Sequence, residues 1–284
     1  MNVRLSSTRM CPLCGGLPVS VGERRSLVFG EVFAFGVCKV CDLGLVLDPR
    51  IDFHAIYDAA YYAGKGADPF VDYANEAADQ GRILEYIGLE AAGRRLLDEG
   101  QPLRWLDFGA GMGGFVEFLR NNGWDAWGID EGFSQTHLER RGLGKPRLGQ
   151  EFSIVSAVEV AEHLVDPVPV IKKMGSFLAP GGSLMITTGN MAKAPSLTKW
   201  TYASVPEVHI TFWTPNSWRK ALALANLEPG LPARFGPEVT QYKILKNLPW
   251  ARRALWVTRE AWKPLARLVA KAYGVSDFPI GRKT

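Results

Sequence analysis

Between residues 101 and 190 short apolar runs alternate with amphipathic stretches. Trp105, Leu106 and Phe108 form one such run, glycines follow at 109, 111, 113 and 114, and Phe115-Val-Glu-Phe-Leu119 continues with helical spacing. This pattern predicts a strand, a tight glycine turn and a helix. The alternation then repeats: a strand over 124–130, a helix over 134–141 capped by Ser134, a strand over 152–156, a helix over 169–178 stopped by Ala179-Pro-Gly-Gly182, and a strand over 184–188. Strands alternating with helices predict a parallel, doubly wound α/β sheet. A late helix over 218–225 and a returning strand over 227–235 complete this part. Upstream, Ile83, Leu84, Ile87, Leu96 and Leu97 have helical spacing within 76–99, which predicts one or two helices ended by Gly100-Gln-Pro102.

Composition bounds the class. With 284 residues, 47% hydrophobic and 22% charged, the chain has enough apolar residues for one ordinary domain plus appendages. It has no apolar run long enough for a spanning helix and no apolar core near Met1, so a cytoplasmic location is expected. The net charge of +4 is unevenly spread: residues 243–284 hold ten Lys or Arg against Glu260 and Asp277, and the preceding 242 residues carry a net −4. The tail from Pro249 to Lys271 also interleaves tryptophan with cations and is broken at Pro264. Such a segment suits an anionic membrane surface, and equally a helix docked on the protein through one face.

All four cysteines fall in two C-x-x-C pairs, Cys11-Pro-Leu-Cys14 and Cys38-Lys-Val-Cys41. Two such knuckles can set four thiolates tetrahedrally around one Zn²⁺. Short strands expected over 17–21 and 27–35 make the unit a zinc ribbon, with a structural role because four thiolates leave no open position. Free thiols or a disulfide pair are the alternatives.

The glycine loop marks a helix N-terminus where backbone N–H groups can approach a ligand. Asp130 lies twenty-one residues after Gly109 at the tip of the second strand, where a carboxylate can accept both ribose hydroxyls of a nucleoside. A nicotinamide enzyme fits the loop loosely. Asp107, inside the preceding strand, separates the readings. Asp107-Phe-Gly-Ala-Gly-Met-Gly113 resembles the D-x-G-x-G-x-G motif of class I S-adenosylmethionine-dependent methyltransferases. The stretch from Phe152 through Glu159-Val-Ala-Glu-His163 to Pro167 resembles the fourth-strand motif of quinone O-methyltransferases and related sugar methyltransferases. Leu178-Ala-Pro-Gly-Gly-Ser-Leu184 is similar to the turn before their fifth strand. The cysteine pairs, the Tyr57–Tyr62 segment and Glu207-Val-His-Ile-Thr-Phe-Trp213 resemble bacterial zinc-ribbon methyltransferases associated with sugar modification.

The resemblance implies S-adenosylmethionine and structural Zn²⁺ as cofactors. Phe108, Gly109, Ala110 and Gly111 would pack on the methionine part, with Asp107 organising the loop. Asp130 with Glu131 would hold the ribose, Glu159 would lie beside the sulfonium, and Tyr62 would close over the cofactor as part of a lid. Cys11, Cys14, Cys38 and Cys41 would ligate the zinc. Methylation of a hydroxyl, or of a carbon beside a carbonyl, needs a base within hydrogen-bond reach. Among four histidines, His54 and His137 read as surface residues. His209 is the expected general base, with His163 or Glu207 assisting. The expected acceptor is a sugar-containing small molecule. A nucleic-acid methyltransferase fits less well, because the fourth strand ends in Ser156-Ala-Val-Glu159 and not in an Asn/Asp-Pro-Pro-aromatic box. A non-catalytic binding module is the remaining rival. The expected organisation is a zinc ribbon (1–50), a Tyr-rich linker and lid (51–100), a Rossmann-like methyltransferase domain (101–236) and a basic helical appendage (237–284).

Overall fold

A computed structural model describes residues 9–49, 56–65, 80–194, 196–230, 233–234 and 277–284. Its central sheet grows from the alternation noted above. β4 (Arg104–Phe108), β5 (Asp125–Ile129), β6 (Phe152–Val158) and β7 (Leu178–Thr187) pair in parallel in the order β5-β4-β6-β7. Because successive strand residues point to opposite faces, the sheet carries two cores. Leu106, Val155, Leu184 and Ile186 face α4 (Pro167–Ser176) and α5 (Pro215–Leu224). Trp105, Ile154 and Met185 face α1 (Gln80–Leu96), α2 (Gly114–Asn121) and α3 (Gly132–Arg140).

Several boundaries differ from the expected ones, each for a local reason. Within 76–99 the described segment is one helix, α1. Ser134 is not the cap of α3. The helix starts at Gly132 with Glu131 in the capping position, and the Ser134 hydroxyl donates inward to the Glu131 carbonyl at 2.9 Å. The helix expected from 169 begins at Pro167, a residue pre-set for the first helical turn. Ala179-Pro-Gly-Gly182 is no separate turn but an irregularity inside β7, where pairing with β6 jumps from Leu178 to Ser183. α5 starts early at Pro215, behind a reciprocal cap between Thr214 and Ser217.

The sheet is mixed rather than all parallel. β12 (Ile280–Arg282) lies antiparallel between β7 and β9 (Glu228–Pro229). The strand expected over 227–235 is thus divided into β9 and β10 (Ala233–Arg234), the latter paired with β11 (Asp277–Phe278). The expected helical appendage therefore ends as sheet. Its basic stretch over 249–271 lies outside the described residues, as does His54.

The ribbon region forms a second sheet: β1 (Val19–Arg25), β2 (Val32–Val37), β3 (Gly44–Val46) and, from far along the chain, β8 (Thr211–Phe212). The first two strands are shifted from 17–21 and 27–35 because a turn occupies Ser26 to Glu31, closed by Ser26 N donating to Glu31 O at 2.8 Å. β8 pairs Phe212 with Gly44 and Thr211 with Leu45. Phe33, Phe35, Ile210 and Phe212 are buried together beneath it. No described helix is long and apolar enough to cross a membrane.

Candidate active site at the carboxyl edge of the sheet

The glycine loop bridges β4 and α2. Gly109, Gly111 and Gly113 all have positive φ (75°, 53° and 85°), a region that side chains disfavour. At Gly109 a Cβ would also lie 2.5 Å from Val160 Cγ2. Gly109 N and Ala110 N donate to the Ile129 carbonyl, tying the loop to the tip of β5. Asp107 is buried below it, accepting from the Ser156 hydroxyl at 2.6 Å, and Ser156 accepts from Trp105 Nε1 at 2.8 Å. The Phe108 ring faces the Lys173 ammonium on α4.

Asp130 sits where β5 ends. Its carboxylate accepts from Gly111 N at 2.6 Å and Glu131 N at 2.7 Å. The Ser134 hydroxyl also faces this carboxylate. Burial pushes the Asp130 pKa up despite those backbone donors. The Glu131 side chain is exposed beside it. Tyr62 reaches the same corner from the single π-helical turn Tyr61–Lys65. Its hydroxyl lies 3.0 Å from Ser134 Oγ and its ring stacks on Phe133. Burial, reinforced by Asp130, raises the Tyr62 phenol to about 12. Tyr57, Tyr61, Tyr62 and Phe133 form a run of touching rings along this edge.

One strand over, β6 is followed by Glu159 at φ +52°, an uncommon conformation for a residue with a side chain. Glu159 N donates to both the carbonyl and Oγ1 of Thr187. Its carboxylate receives a hydrogen bond from the Tyr202 hydroxyl at 2.9 Å. Tyr202 also contacts Glu162, which is fully buried. Burial and the neighbouring Glu159 charge push the Glu162 carboxyl well above its ordinary range. The Tyr202 hydroxyl thus faces both carboxylates, with Thr188 Oγ1 3.2 Å away. Glu162 Oε2 has no hydrogen-bond partner among the described residues.

The two candidate histidines meet here, with ring centroids 5.0 Å apart. His163 Nδ1 lies 2.9 Å from the Val208 carbonyl, and His209 Nδ1 lies 2.6 Å from the Tyr202 carbonyl. A carbonyl only accepts, so His209 Nδ1 carries a proton toward Tyr202 O, while the His163 ring also meets the Glu159 backbone. His209 stacks on Tyr202 at 4.3 Å. Tyr57 adds its hydroxyl 2.9 Å from His163 Nδ1. Burial, then the His209 charge, lowers His163 to about 3, so it stays neutral near pH 7.

Glu207 does not join this group. It is buried at the ribbon turn, facing Ser26 and the Phe29 backbone, where burial raises its pKa. His137 is partly buried on α3, away from the cluster. Tyr202 and Glu162 are not among the site residues expected from the sequence, although an acid adjoining a histidine just past a strand was the available signal for Glu162.

The four cysteine thiols are free and lie within 4.8 Å of one another. Cys11 and Cys41 Sγ are 3.4 Å apart, and Cys14 and Cys38 Sγ 3.3 Å. A disulfide needs about 2.05 Å. Four ligands at about 2.3 Å from a tetrahedral zinc lie roughly 3.8 Å apart. The set therefore fits Zn²⁺ and not a disulfide pair. Gly15 and Asp42, both at positive φ, turn the two knuckles.

Comparison with known proteins bears on the family. A family model described as a methyltransferase domain matches residues 80–229. A ubiquinone biosynthesis O-methyltransferase of Parvibaculum lavamentivorans is 27% identical over 168 residues, 53% of this chain and 64% of that protein. The chain thus spans less than two thirds of that relative's length. Another so named, from Ruegeria pomeroyi, is 32% identical over 127 residues, 38% of this chain and 51% of that protein. Among solved structures, an S-adenosylmethionine-dependent methyltransferase from Mesorhizobium loti covers 70% of this chain and 100% of its own, with TM-score 0.48 and 16% identity. The chain belongs to the methyltransferase-domain family and has its Rossmann-like fold.

Proposed function

We propose that the chain transfers a methyl group from S-adenosylmethionine to a hydroxyl of a small molecule. Bound at the glycine loop, that cofactor supplies an electrophilic methyl on a sulfonium. The residues fit it: the Asp130 carboxylate stands at the tip of β5 for a ribose diol, the positive-φ glycines let a ligand approach the loop closely, and the Glu159 carboxylate lies at the neighbouring strand end. Tyr62 and its ring neighbours form the wall over this seat.

The observation that carries the reading is the pairing of His163 and His209, ring centroids 5.0 Å apart, each with Nδ1 at a backbone carbonyl. His209 is then the base that takes the hydroxyl proton. Tyr202 bridges the Glu159 and Glu162 carboxyl groups beside that pair. His163 holds the opposite side of the pair and stays uncharged. In-line transfer needs little more than alignment and proton removal. Glu207 acts at the ribbon turn rather than on the acceptor.

Within hydroxyl acceptors, the finer reading is a sugar-containing molecule. It rests on the ribbon and on the residue 207–213 segment, which resemble sugar-modifying enzymes. The relatives' own names concern O-methylation in ubiquinone biosynthesis, so ring hydroxyls form the competing set. A panel of nucleotide sugars and catechols incubated with methyl-labelled S-adenosylmethionine separates the two. Label on a sugar supports the finer reading, and label on a catechol alone removes it. With the acceptor so found, His209→Gln should lower turnover about 100-fold or more. Unchanged turnover removes His209 as the base.

A further inference from the structure

Arg9 stands two residues before the first cysteine, and its guanidinium meets carbonyls from three separate parts of the chain. Nη1 donates to Val46 O at 2.8 Å and to Ile210 O at 3.4 Å, and Nη2 donates to Val165 O at 2.7 Å. Val46 ends β3 of the ribbon. Ile210 directly follows His209. Val165 lies two residues after His163. We propose that Arg9 is a positioning residue, which fixes the spacing of His163 and His209 and takes its own place from the zinc knuckle at Cys11.

Three features support this role. A planar guanidinium has several donors in a fixed fork, so it can hold carbonyls at set angles where an ammonium cannot. The carbonyl of Ile210 is shared with Val46 N at 3.0 Å, so the same atom joins the ribbon to the histidine loop. The guanidinium also faces the charges of Cys11 and Asp166. Near a zinc site with four thiolates and a net −2 charge, this partly buried cation would offset part of that charge. Other ties run beside it: Leu27 N donates to Ser204 O, Arg24 contacts the Trp200 carbonyl, and Val28 packs with Val205 and Val208. Arg9 joins the ribbon to both histidine-bearing loops with one side chain, beside the direct tie from Ile210 N to Glu162 O at 2.8 Å.

The catalytic meaning rests on the base assignment above, but the test reads geometry. Full-length protein with ¹⁵N-labelled histidine is compared in long-range ¹H–¹⁵N spectra, with signals assigned through His163→Gln and His209→Gln. Arg9→Gln should shift both histidine signals while S-adenosylhomocysteine affinity, measured by calorimetry, stays unchanged. Arg9→Lys, which keeps the charge and loses the fork, should shift them too. Guanidinium ion added to Arg9→Gly should move them back toward the parent positions. Chelating zinc from the unsubstituted chain should shift the same two signals. Histidine signals that stay in place in folded Arg9→Gln or Arg9→Lys protein overturn the proposal, as does zinc removal that leaves them fixed. If Arg9→Gln does not fold, the lysine variant and the chelation arm decide. Failure of His209→Gln to change turnover would remove the base assignment and leave this result standing.

Discussion

The two halves of the candidate site are built differently. The cofactor half is local: the loop from Asp107 to Gly113 and Asp130 lie within twenty-four residues, on adjacent strands β4 and β5. Its shape follows from positive-φ glycines and a carboxylate that holds one of their N–H groups. The acceptor half is assembled over long distances. The segments bearing His163, Tyr202 and His209 meet each other and the ribbon at residues 9–46, through Ile210 N to Glu162 O, β3–β8 pairing, Arg9 and the Ser26–Phe29 turn. Cofactor binding should therefore survive damage to the ribbon, and acceptor chemistry should not.

Removing the zinc is the largest perturbation of that contrast. Cys41→Ser, or chelation, should cost about 3 kcal/mol or more, because a structural zinc site contributes directly to folding. For a chain of this size that is a fall in melting temperature of roughly 6–12 °C. Calorimetry on the same sample should still find S-adenosylhomocysteine binding. If cofactor affinity falls with the metal, the two halves are not separable.

A smaller change strikes the cofactor half alone. Gly109→Val would place a side chain against Val160 at a backbone φ of 75°, which costs about 1–2 kcal/mol in backbone strain before any clash. Cofactor binding should weaken sharply while zinc content, measured by metal analysis, remains near one per chain. Retained affinity would mean that the ligand does not use this loop.

A further effect concerns His163 and pH. Its folded-state pKa of about 3 is below the ordinary 6.5. The unfolded chain therefore binds the extra proton first as pH falls. Stability from this group is complete above about pH 6.5 and is lost steadily toward pH 3. Glu162 has the opposite sign, because its raised pKa favours the folded state at low pH and withdraws that support as pH rises. The difference between parent and His163→Gln stability curves isolates the histidine. It should widen in the parent's favour from pH 4 to pH 7. A pH-independent difference would contradict a buried neutral imidazole.

This contrast also explains what could be read in the sequence. Apolar residues at Trp105 and Leu106, then glycines, then a helical pattern record local backbone needs, so β4, the loop and α2 were legible. The paired C-x-x-C units were legible because their spacing alone brings the thiols near each other. β8 has two residues and β12 three, too few for any period to emerge, and each pairs with a strand remote in sequence. The partners of Tyr202 depend on how residues 188–213 wrap over β6, so distance in sequence misled. Glu207 looked like a base assistant because it is two residues from His209, but the turn points it toward Ser26.

The most direct test of the central claim is titration calorimetry of the full-length chain with S-adenosylmethionine, beside Asp130→Ala. The account predicts one binding site per chain and about a 100-fold loss in the variant, equivalent to about 2.7 kcal/mol for hydrogen bonds to a charged group. No binding by the parent, or equal binding by both proteins, would contradict it.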